Sequence, residues 1–261
     1  MTRFLFKLHT YLAIISFIPL ILISVSGAIL VFKHEIDRLL MPDSVRVATA
    51  GTDRLALEVL QSKVYSQYPD WHITGWVLFQ DQKRADLVYM IPAGSDEWHY
   101  LLLDQYRGNV LAPPVDTHHY LTDWLLDFHY TFMLDHTGLY LASFFAITLC
   151  LIGLSGIIIH RSYWQSLLKW KRQKRRTGFY REFHKKIGAW ASPILLILGI
   201  TGGYWNITHV IQEDFLEEHH DHHKMAQPLY NRSLALQTIV QNAESSANGF
   251  KATYILSLIH I

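Results

Sequence analysis

The stretch His9–His34, HTYLAIISFIPLILISVSGAILVFKH, is a long apolar run that begins and ends with a histidine. The chain has three segments that contain no Asp, Glu, Lys or Arg. The first lies between Lys7 and Lys33, the second between Asp135 and Arg161, and the third between Lys186 and Glu213. The quoted stretch covers most of the first. An α-helix needs about 20 apolar residues to cross a hydrocarbon core about 30 Å thick. The sequence therefore predicts three transmembrane helices, near Leu12–Phe32, Leu139–Ile159 and Ile187–Ile207.

The charges of the chain are distributed unevenly along these segments. Residues 160–186 contain ten Lys or Arg and one acid, whereas residues 33–135 contain eight basic and fifteen acidic residues. Because positively charged loops stay in the cytoplasm, we expect the N-terminus and the basic connector inside and residues 33–137 and 208 onward outside. Beside two spans, the basic run indicates topology rather than nucleic-acid binding. A cleaved signal peptide is the alternative for the first segment, but its apolar core is long for one.

The chain contains an internal repeat. At an offset of 175 residues, His9 aligns with His184, Gly27 with Gly202, and His34 with His209. The segments RLALEVLQSKVYSQYPDWHITGW and RSLALQTIVQNAESSANGFKATYI, which follow the first and third spans, also resemble each other. Such repeats indicate a duplicated unit, here a helix, an extracytoplasmic module and a returning helix. The second unit is expected to lack its module's strands and its returning helix, so the chain looks truncated.

The first soluble segment reads as an α+β module. Apolar residues at helical spacing predict a helix over Leu55–Tyr65, and HITGWVLF, DLVYMI and EWHYLLLD predict strands. The last residues, LSLIHI, look like translated sequencing adapter. The predicted boundaries are 1–36 for the first transmembrane helix, 37–128 for the module, 129–160 for the second helix, 161–183 for the cytoplasmic connector, 184–212 for the third helix, 213–255 for the start of a truncated second module, and 256–261 for a non-native tail.

Histidines concentrate at the predicted membrane boundaries. Seven of the sixteen lie there: His9, His160 and His184 on the inner side, and His34, His129, His136 and His209 on the outer side. In an uninterrupted helix, residues 25 positions apart share a face, so the two repeats would present matching histidine stripes. An isolated interfacial histidine is more often a simple amphipathic residue. A duplicated pair with equal spacing favours ligation.

The available donors restrict the ligand. The one cysteine, Cys150, lies within the second span, which excludes an intramolecular disulfide and an iron–sulfur cluster ligated by several cysteines of this chain. Imidazole ligates zinc, copper, nickel and iron. Paired imidazoles on facing apolar helices suit the two axial positions of a b-type haem. The candidate axial ligands, with their pairing left open, are His9, His34, His129, His160, His184 and His209.

A separate His-rich tract, EDFLEEHHDHHK, follows the third span at residues 213–224. Tracts of this composition often bind metal ions, and the candidate ligands here are His219, His220, His222 and His223. A solvated acidic loop is the simpler interpretation, and it is slightly favoured because the spacing is not that of a defined metal site.

Three stretches carry a family resemblance: LHTYLAIISFIPLILISVSGAILVFKHEID, FHYTFMLDHTGLYL leading into SGIIIHRSYWQSLLKW, and FHKKIGAWASPILLILGITGGYWN. Together with a PepSY-like module ending in LLLDQYRGNVLAP, they resemble the PepSY-associated transmembrane family of iron-regulated membrane proteins, which includes ferric-siderophore reductases. The resemblance implies a helical bundle of four spans, three of them present here, in the bacterial inner membrane, with an extracytoplasmic α+β PepSY-like module.

The resemblance also implies a function. It suggests a haem b oxidoreductase, with two haems in the full-length protein, that passes electrons from quinol or a cytoplasmic reductant to a periplasmic ferric siderophore or other ferric chelate. His9, His129, His160 and His184 match the family's motif histidines, whereas His34 and His209 rest on the internal repeat and His136 looks additional.

Two other functions fit the composition. An iron-chelate or metal permease would need polar residues along the spans, and only mild ones occur: Ser16, Ser24, Ser26, Thr148 and Thr201. In the other alternative, the module senses or inhibits a partner without catalysis and the helices only anchor it.

Overall fold

The computed structural model describes residues 2–48, 53–160, 176–212, 234–247 and 249–256. These residues form two compact units, a helical unit and an α+β unit. The described residues of the helical unit are 2–31, 124–160 and 176–212, and the other described residues form the α+β unit. Most of the basic connector and the His-rich tract with His219, His220, His222 and His223 lie outside the described residues.

Three long apolar helices dominate the helical unit, and they confirm the three predicted spans. They are α1 (Thr2–Leu30), α6 (Asp135–Ile159) and α7 (Arg176–Ile211). Within the described residues, Arg3–Leu30, Asp135–Ile159 and Thr177–Ile211 are long and apolar enough to cross a membrane. The chain is therefore a multi-pass membrane protein by the length and composition of its helices.

Small residues let α6 and α7 approach closely. A Cβ atom added to Gly199 would lie 2.6 Å from Cys150 Sγ, and one added to Gly153 would lie 3.2 Å from Leu196 Cγ. Such contacts are typical of helix pairs within membranes, where small side chains allow the backbones to meet.

A short helix, α5 (Leu121–Thr131), leads into α6 through a tight turn. Phe132, Met133 and Asp135 all have positive φ angles, of 54°, 59° and 48°. Gly138 packs directly on the Thr131 carbonyl, where a Cβ would overlap that carbonyl oxygen. The turn therefore requires glycine at 138, and it holds the end of α5 against the start of α6.

The first helix ends earlier than its sequence predicts. A turn at residues 31–32 separates α1 from α2 (Lys33–Leu40), and α3 (Pro42–Val45) follows. His34 therefore lies on a different helix from His9, so the spacing rule for an uninterrupted helix does not apply to this pair. In the second repeat the rule does apply, because α7 continues through both His184 and His209.

The α+β unit is an antiparallel sheet packed on a helix, as the sequence predicts. It contains α4 (Leu57–Gln67), β1 (Trp71–Val77), β2 (Asp86–Pro92), β3 (His99–Leu103), β4 (Val110–Asp116), α8 (Leu236–Ser246) and β5 (Tyr254–Leu256), with strand order β4-β3-β2-β1-β5. Its core joins Leu57, Leu60 and Val64 of α4 to Trp76, Val88, Met90, Leu101 and Leu103 of the sheet.

The second repeat contributes a strand to this sheet, so the expectation that it lacks strands is wrong. In β5, Tyr254–Leu256 pairs antiparallel with Gly75–Val77 of β1. Three residues can form a stable strand here because β1 supplies their backbone partners. Leu256 opens the predicted non-native tail, whose remaining residues lie outside the described part of the chain.

The two repeats meet through equivalent residues. In the soluble segments the repeats align at an offset of 179 residues, so that Trp76 corresponds to Ile255 and Glu58 to Gln237, and Trp76 pairs with Ile255 in the sheet. Between the helices, the Gln237 backbone N–H donates to Glu58 Oε1 at 2.8 Å, and the Leu57 N–H donates to Gln237 Oε1 at 3.4 Å. The repeats are thus related by a local pseudo-twofold axis.

A buried ionic cluster ties α2 to β3 and to the start of α5. Lys33 Nζ donates to Asp37 Oδ2 at 3.2 Å, Asp123 Oδ1 at 2.9 Å and Thr122 Oγ1 at 2.6 Å. The Tyr100 hydroxyl donates to Asp123, and burial followed by this hydrogen bond raises the pKa of Tyr100 far above its ordinary value. We refer to Lys33, Asp37, Tyr100, Thr122 and Asp123 as the ionic cluster.

Candidate functional site

His9 on α1 packs into a polar notch of α6. Its Nδ1 lies 3.0 Å from Ser155 Oγ, and the Ser155 hydroxyl donates to the Leu151 carbonyl at 2.6 Å. Because the hydroxyl proton is already used, Ser155 Oγ accepts and His9 Nδ1 carries the proton. The Nε2 lone pair of His9 is then available to a ligand. Gly156, which follows Ser155, leaves room for the ring: a Cβ there would lie 3.4 Å from His9 Cε1.

His129 on α5 packs on α1 in the same way. Its Nδ1 lies 3.0 Å from Ser26 Oγ and 3.0 Å from the Ile23 carbonyl oxygen. A carbonyl only accepts, so His129 Nδ1 also carries the proton and Nε2 keeps its lone pair. A Cβ at Gly27, the residue after Ser26, would lie 2.7 Å from His129 Cε1.

These two arrangements share one design, a histidine ring seated on a Ser-Gly pair of a neighbouring helix. We call Ser155 and Gly156 the His9 socket, and Ser26 and Gly27 the His129 socket. Both serines are almost fully buried, at 4% and 2% exposed. Each serine hydroxyl donates to the backbone of its own helix, at 2.6 Å for Ser155 and 3.0 Å for Ser26, and accepts from the histidine.

His9 also has a second imidazole beside it. The ring centroids of His9 and His184 are 6.4 Å apart, and the ring planes are inclined by 78°. The sequence predicted both residues as ligands, and the structure brings them together on α1 and α7. Within the described residues, no ring contact joins His129 to another imidazole.

His160 and Lys186 lie near the same end of the helical unit. His160 directly follows α6, and its charged neighbours are Lys185, Lys186 and Glu182 of α7. The Lys186 side chain is buried, at 5% exposed, and among the described residues its Nζ has no hydrogen-bond partner. A buried ammonium without an anion is costly, so this position favours a negatively charged group.

The remaining candidate histidines have different surroundings. His209 packs on Trp205 with ring centroids 4.9 Å apart, and His136 packs on Tyr140 at 5.1 Å. His34 lies in the α+β unit, with Nε2 3.7 Å from Asp81 Oδ2 and no hydrogen bond to either ring nitrogen among the described residues. Burial, followed by the positive charges of Arg84 and Arg38, lowers the pKa of His34.

A family comparison agrees with this architecture. The model of the PepSY-associated TM region matches residues 6–256, nearly the whole chain. The chain belongs to this family. The three apolar helices and the α+β unit correspond to the membrane region and the soluble module of a PepSY-associated transmembrane protein.

A curated relative shares part of the chain. An uncharacterized protein of Pseudomonas aeruginosa, PA4219, is 34% identical over 80 residues. This match covers 31% of the present chain and 20% of the relative, so it spans about a fifth of the relative's length.

The sockets are the part of this PepSY-associated protein that sequence reasoning missed. The sequence marks Gly27 only through the internal repeat and Ser26 only as a mild polar residue of a span. The recurring signal was the dipeptide Ser-Gly, at 26–27 on α1 and at 155–156 on α6. Within the part of the chain that the structure describes, no group of three or more His, Cys, Asp or Glu is placed to hold a metal ion.

Proposed function

We propose that this protein is a haem-dependent oxidoreductase of the bacterial inner membrane that reduces a ferric siderophore or other ferric chelate in the periplasm. The observation that carries the proposal is the His9–His184 pair, in which His9 has its Nδ1 proton engaged and its Nε2 lone pair available.

The residues fit a haem held by two imidazoles. Metal ions lie about 2.0 Å from an imidazole nitrogen, so two rings on opposite sides of one ion have centroids roughly 6 Å apart. The 6.4 Å separation of His9 and His184 agrees with that spacing. Lys186, buried with an unpaired ammonium among the described residues, suits the carboxylate groups at the edge of a haem.

In this proposal the protein binds and orients a cofactor that supplies one-electron chemistry. His9 and His184 would hold the iron, the His9 socket would fix the His9 ring, and the apolar helices would exclude water. His129, in its own socket, is the candidate ligand of a second haem toward the other end of α1. The His34, His160 and His209 side chains remain further candidates.

The direction of electron flow follows from the proposed topology. Because basic residues stay in the cytoplasm, the connector lies inside and the PepSY-like module in the periplasm. Electrons then enter from quinol or a cytoplasmic reductant and leave on the periplasmic side. Each electron converts Fe³⁺ of the chelate to Fe²⁺, which hard oxygen donors hold less tightly, so the iron is released.

A permease is less well supported. The span hydroxyls of Ser143, Thr148 and Ser192 each donate to a carbonyl of their own helix, at 2.8, 2.8 and 2.5 Å. Such bonds are ordinary for hydroxyls within a helix, so they give a permease no particular support. A non-catalytic sensor makes no use of the His9–His184 pair.

The test is a reduced-minus-oxidised visible spectrum of the purified protein, in its longest native form, after expression with added haem. We expect a low-spin b-type signal that His9→Ala and His184→Ala each reduce by half or more, while His136→Ala, which alters a boundary histidine outside the pair, leaves it unchanged. Absence of haem from the wild-type protein would overturn the proposal and favour the permease and sensor alternatives.

A further inference from the structure

We infer that Ser155 and Ser26 are positioning residues that fix the tautomer of His9 and His129, so that each histidine presents Nε2 as a ligand. The inference rests on the proposed function for the identity of the ligand, because haem is what Nε2 would bind. The tautomer itself follows from the hydrogen bonds alone.

The first step is the direction of each hydrogen bond. Ser155 Oγ lies 2.6 Å from the Leu151 carbonyl oxygen and 3.2 Å from the Ile152 carbonyl oxygen, and it donates its proton to these acceptors of its own helix. Ser26 donates in the same way to the Ile23 carbonyl at 3.0 Å. Each serine then has only lone pairs to offer the imidazole, which must donate from Nδ1.

The second step is the cost of the other tautomer. With the proton on Nε2, the Nδ1 lone pair would face the lone pairs of the serine, and for His129 also those of the Ile23 carbonyl. Because both serines are almost fully buried, water cannot readily replace the lost bond. The surroundings therefore favour the tautomer with the proton on Nδ1. Because Nδ1 is held by this hydrogen bond, Nε2 is the nitrogen that can bind a ligand.

The third step is the orientation of the ring. At both sockets the imidazole edge at Cε1 lies against the helix at the glycine, where a side chain would be 2.7 Å away for Gly27 and 3.4 Å away for Gly156. Cε1 is bonded to both ring nitrogens. A ring fixed at Nδ1 and at Cε1 has little freedom to turn, so Nε2 points in one direction.

Serine hydrogen bonds between helices can also be purely structural. That alternative predicts lower bundle stability without Ser155 or Ser26, and no particular tautomer. Partners that orient a metal-ligating histidine typically change metal affinity or activity 10- to 100-fold when removed. A test must therefore measure the tautomer directly and compare it with ligand affinity.

The experiment uses the whole chain, labelled with ¹⁵N-histidine, in lipid nanodiscs without haem. Two-bond ¹⁵N–¹H correlation spectra at a pH where the rings are neutral distinguish the tautomers, and His9→Gln and His129→Gln assign the signals. We expect Nδ1–H for both histidines. Ser155→Ala should shift His9 toward the Nε2–H tautomer and leave the tautomer of His129 unchanged. Ser26→Ala should shift His129 and leave His9 unchanged. Ser155→Thr should retain the wild-type tautomer of His9.

Ser143→Ala is the matched control, because the Ser143 hydroxyl is buried, bonds to Leu139 of its own helix and has no hydrogen bond to a histidine among the described residues. Haem titration of the same proteins should show affinity about 10- to 100-fold lower in Ser155→Ala, with recovery in Ser155→Thr.

The outcomes separate the two proposals. Wild-type Nε2–H at His9 and His129, or tautomers that Ser155→Ala and Ser26→Ala leave unchanged, would overturn the positioning role whatever the haem content. Nδ1–H tautomers that respond to the serines, in a protein that takes up no haem, would support the positioning role and overturn the proposed function.

Discussion

The helical unit and the α+β unit bury polar side chains in opposite ways. In the helical unit, His9 and His129 each place Nδ1 3.0 Å from a serine hydroxyl of a neighbouring helix. In the α+β unit, Lys33 lies between Asp37 and Asp123, and Arg54 pairs with Asp86, whose carboxylate also accepts from Trp76 Nε1 at 2.8 Å.

The difference reflects what each environment tolerates. Moving an isolated charge into an apolar medium is very costly, whereas a neutral imidazole with one good hydrogen bond costs little. The soluble unit can bury charges because several opposite charges and hydroxyls meet them at once. The helices therefore bury polar rings beside single hydroxyls, while the α+β unit uses ions to join its elements.

The ionic cluster should give the largest effect. Lys33→Met leaves Asp37 and Asp123 buried without their cation, and we expect a loss of about 3–5 kcal/mol in the unfolding free energy of the α+β unit. The measurement is denaturant unfolding of the whole chain, followed by tryptophan fluorescence.

Lys251→Met is the control for this variant. Lys251 Nζ lies 3.2 Å from Glu244 Oε2, the same distance as in the Lys33–Asp37 pair, but the Lys251 side chain is 70% exposed. Exposed pairs contribute about 1 kcal/mol or less. Equal losses in the two variants would contradict the distinction between buried and exposed charges.

The two sockets should differ in how tightly they hold the ring. Gly27→Ala places a Cβ 2.7 Å from His129 Cε1, so the ring must move, and we expect about 1–3 kcal/mol of destabilisation from overpacking. Gly156→Ala, with 3.4 Å to His9 Cε1, should cost clearly less. Thermal unfolding in detergent measures both, and a larger loss for Gly156→Ala would contradict the geometry of the sockets.

The buried carboxylate of Asp86 should make the stability of the α+β unit depend on pH. Burial raises the pKa of Asp86, although Arg54 and Trp76 oppose the shift. The folded state thus binds the proton more tightly, and the stability due to this group falls as pH rises from the ordinary Asp pKa through the raised value.

Asp86→Asn removes this titration. The difference in unfolding free energy between the wild type and the variant should decline with rising pH across that window and become constant above it. Asp70→Asn on the surface is the control, and a difference that increases with pH would refute the assignment.

The smallest expected effect concerns the contact between the repeats. Glu58→Ala removes the acceptor of a 2.8 Å hydrogen bond, whereas Gln237→Ala removes the acceptor of a 3.4 Å hydrogen bond. The shorter bond is the stronger one, so Glu58→Ala should lower the unfolding free energy more. We expect each loss to be about 0.5–1.5 kcal/mol at most. A double-mutant cycle in denaturant measures their coupling, and fully additive losses would show that the two contacts act independently.

Much of the fold was predictable because it depends on composition and period. Charge-free runs revealed the three spans, and runs rich in aromatic and β-branched residues revealed β1, β2 and β3. The end of α1 at Leu30 was not predictable, since no proline or glycine marks the turn at residues 31–32. The prediction that His9 and His34 share a face of one helix was therefore wrong.

The candidate site was predictable as a set of residues but not as an arrangement. Duplication singled out His9 and His184, yet only the packing of α1 and α7 shows that they are neighbours. The roles of Ser26 and Ser155 depend on which neighbouring helix each serine faces. The periodicity of a single helix shows which residues share a face, but it does not show which helix packs against that face. β5 was missed because three residues form a strand only when an edge accepts them.

The pseudo-twofold pairing of β1 with β5 has the form of a homodimer interface within a single chain. In a symmetric dimer a residue on the axis meets its own equivalent, as Trp76 meets Ile255, and the residues beside it pair reciprocally, as Gly75 pairs with Leu256 and Val77 with Tyr254. Separate molecules would form that contact only at sufficient concentration, but covalent linkage makes it intramolecular. The pairing therefore persists on dilution, and Gly75–Val77 of β1 stay covered against pairing with neighbouring molecules.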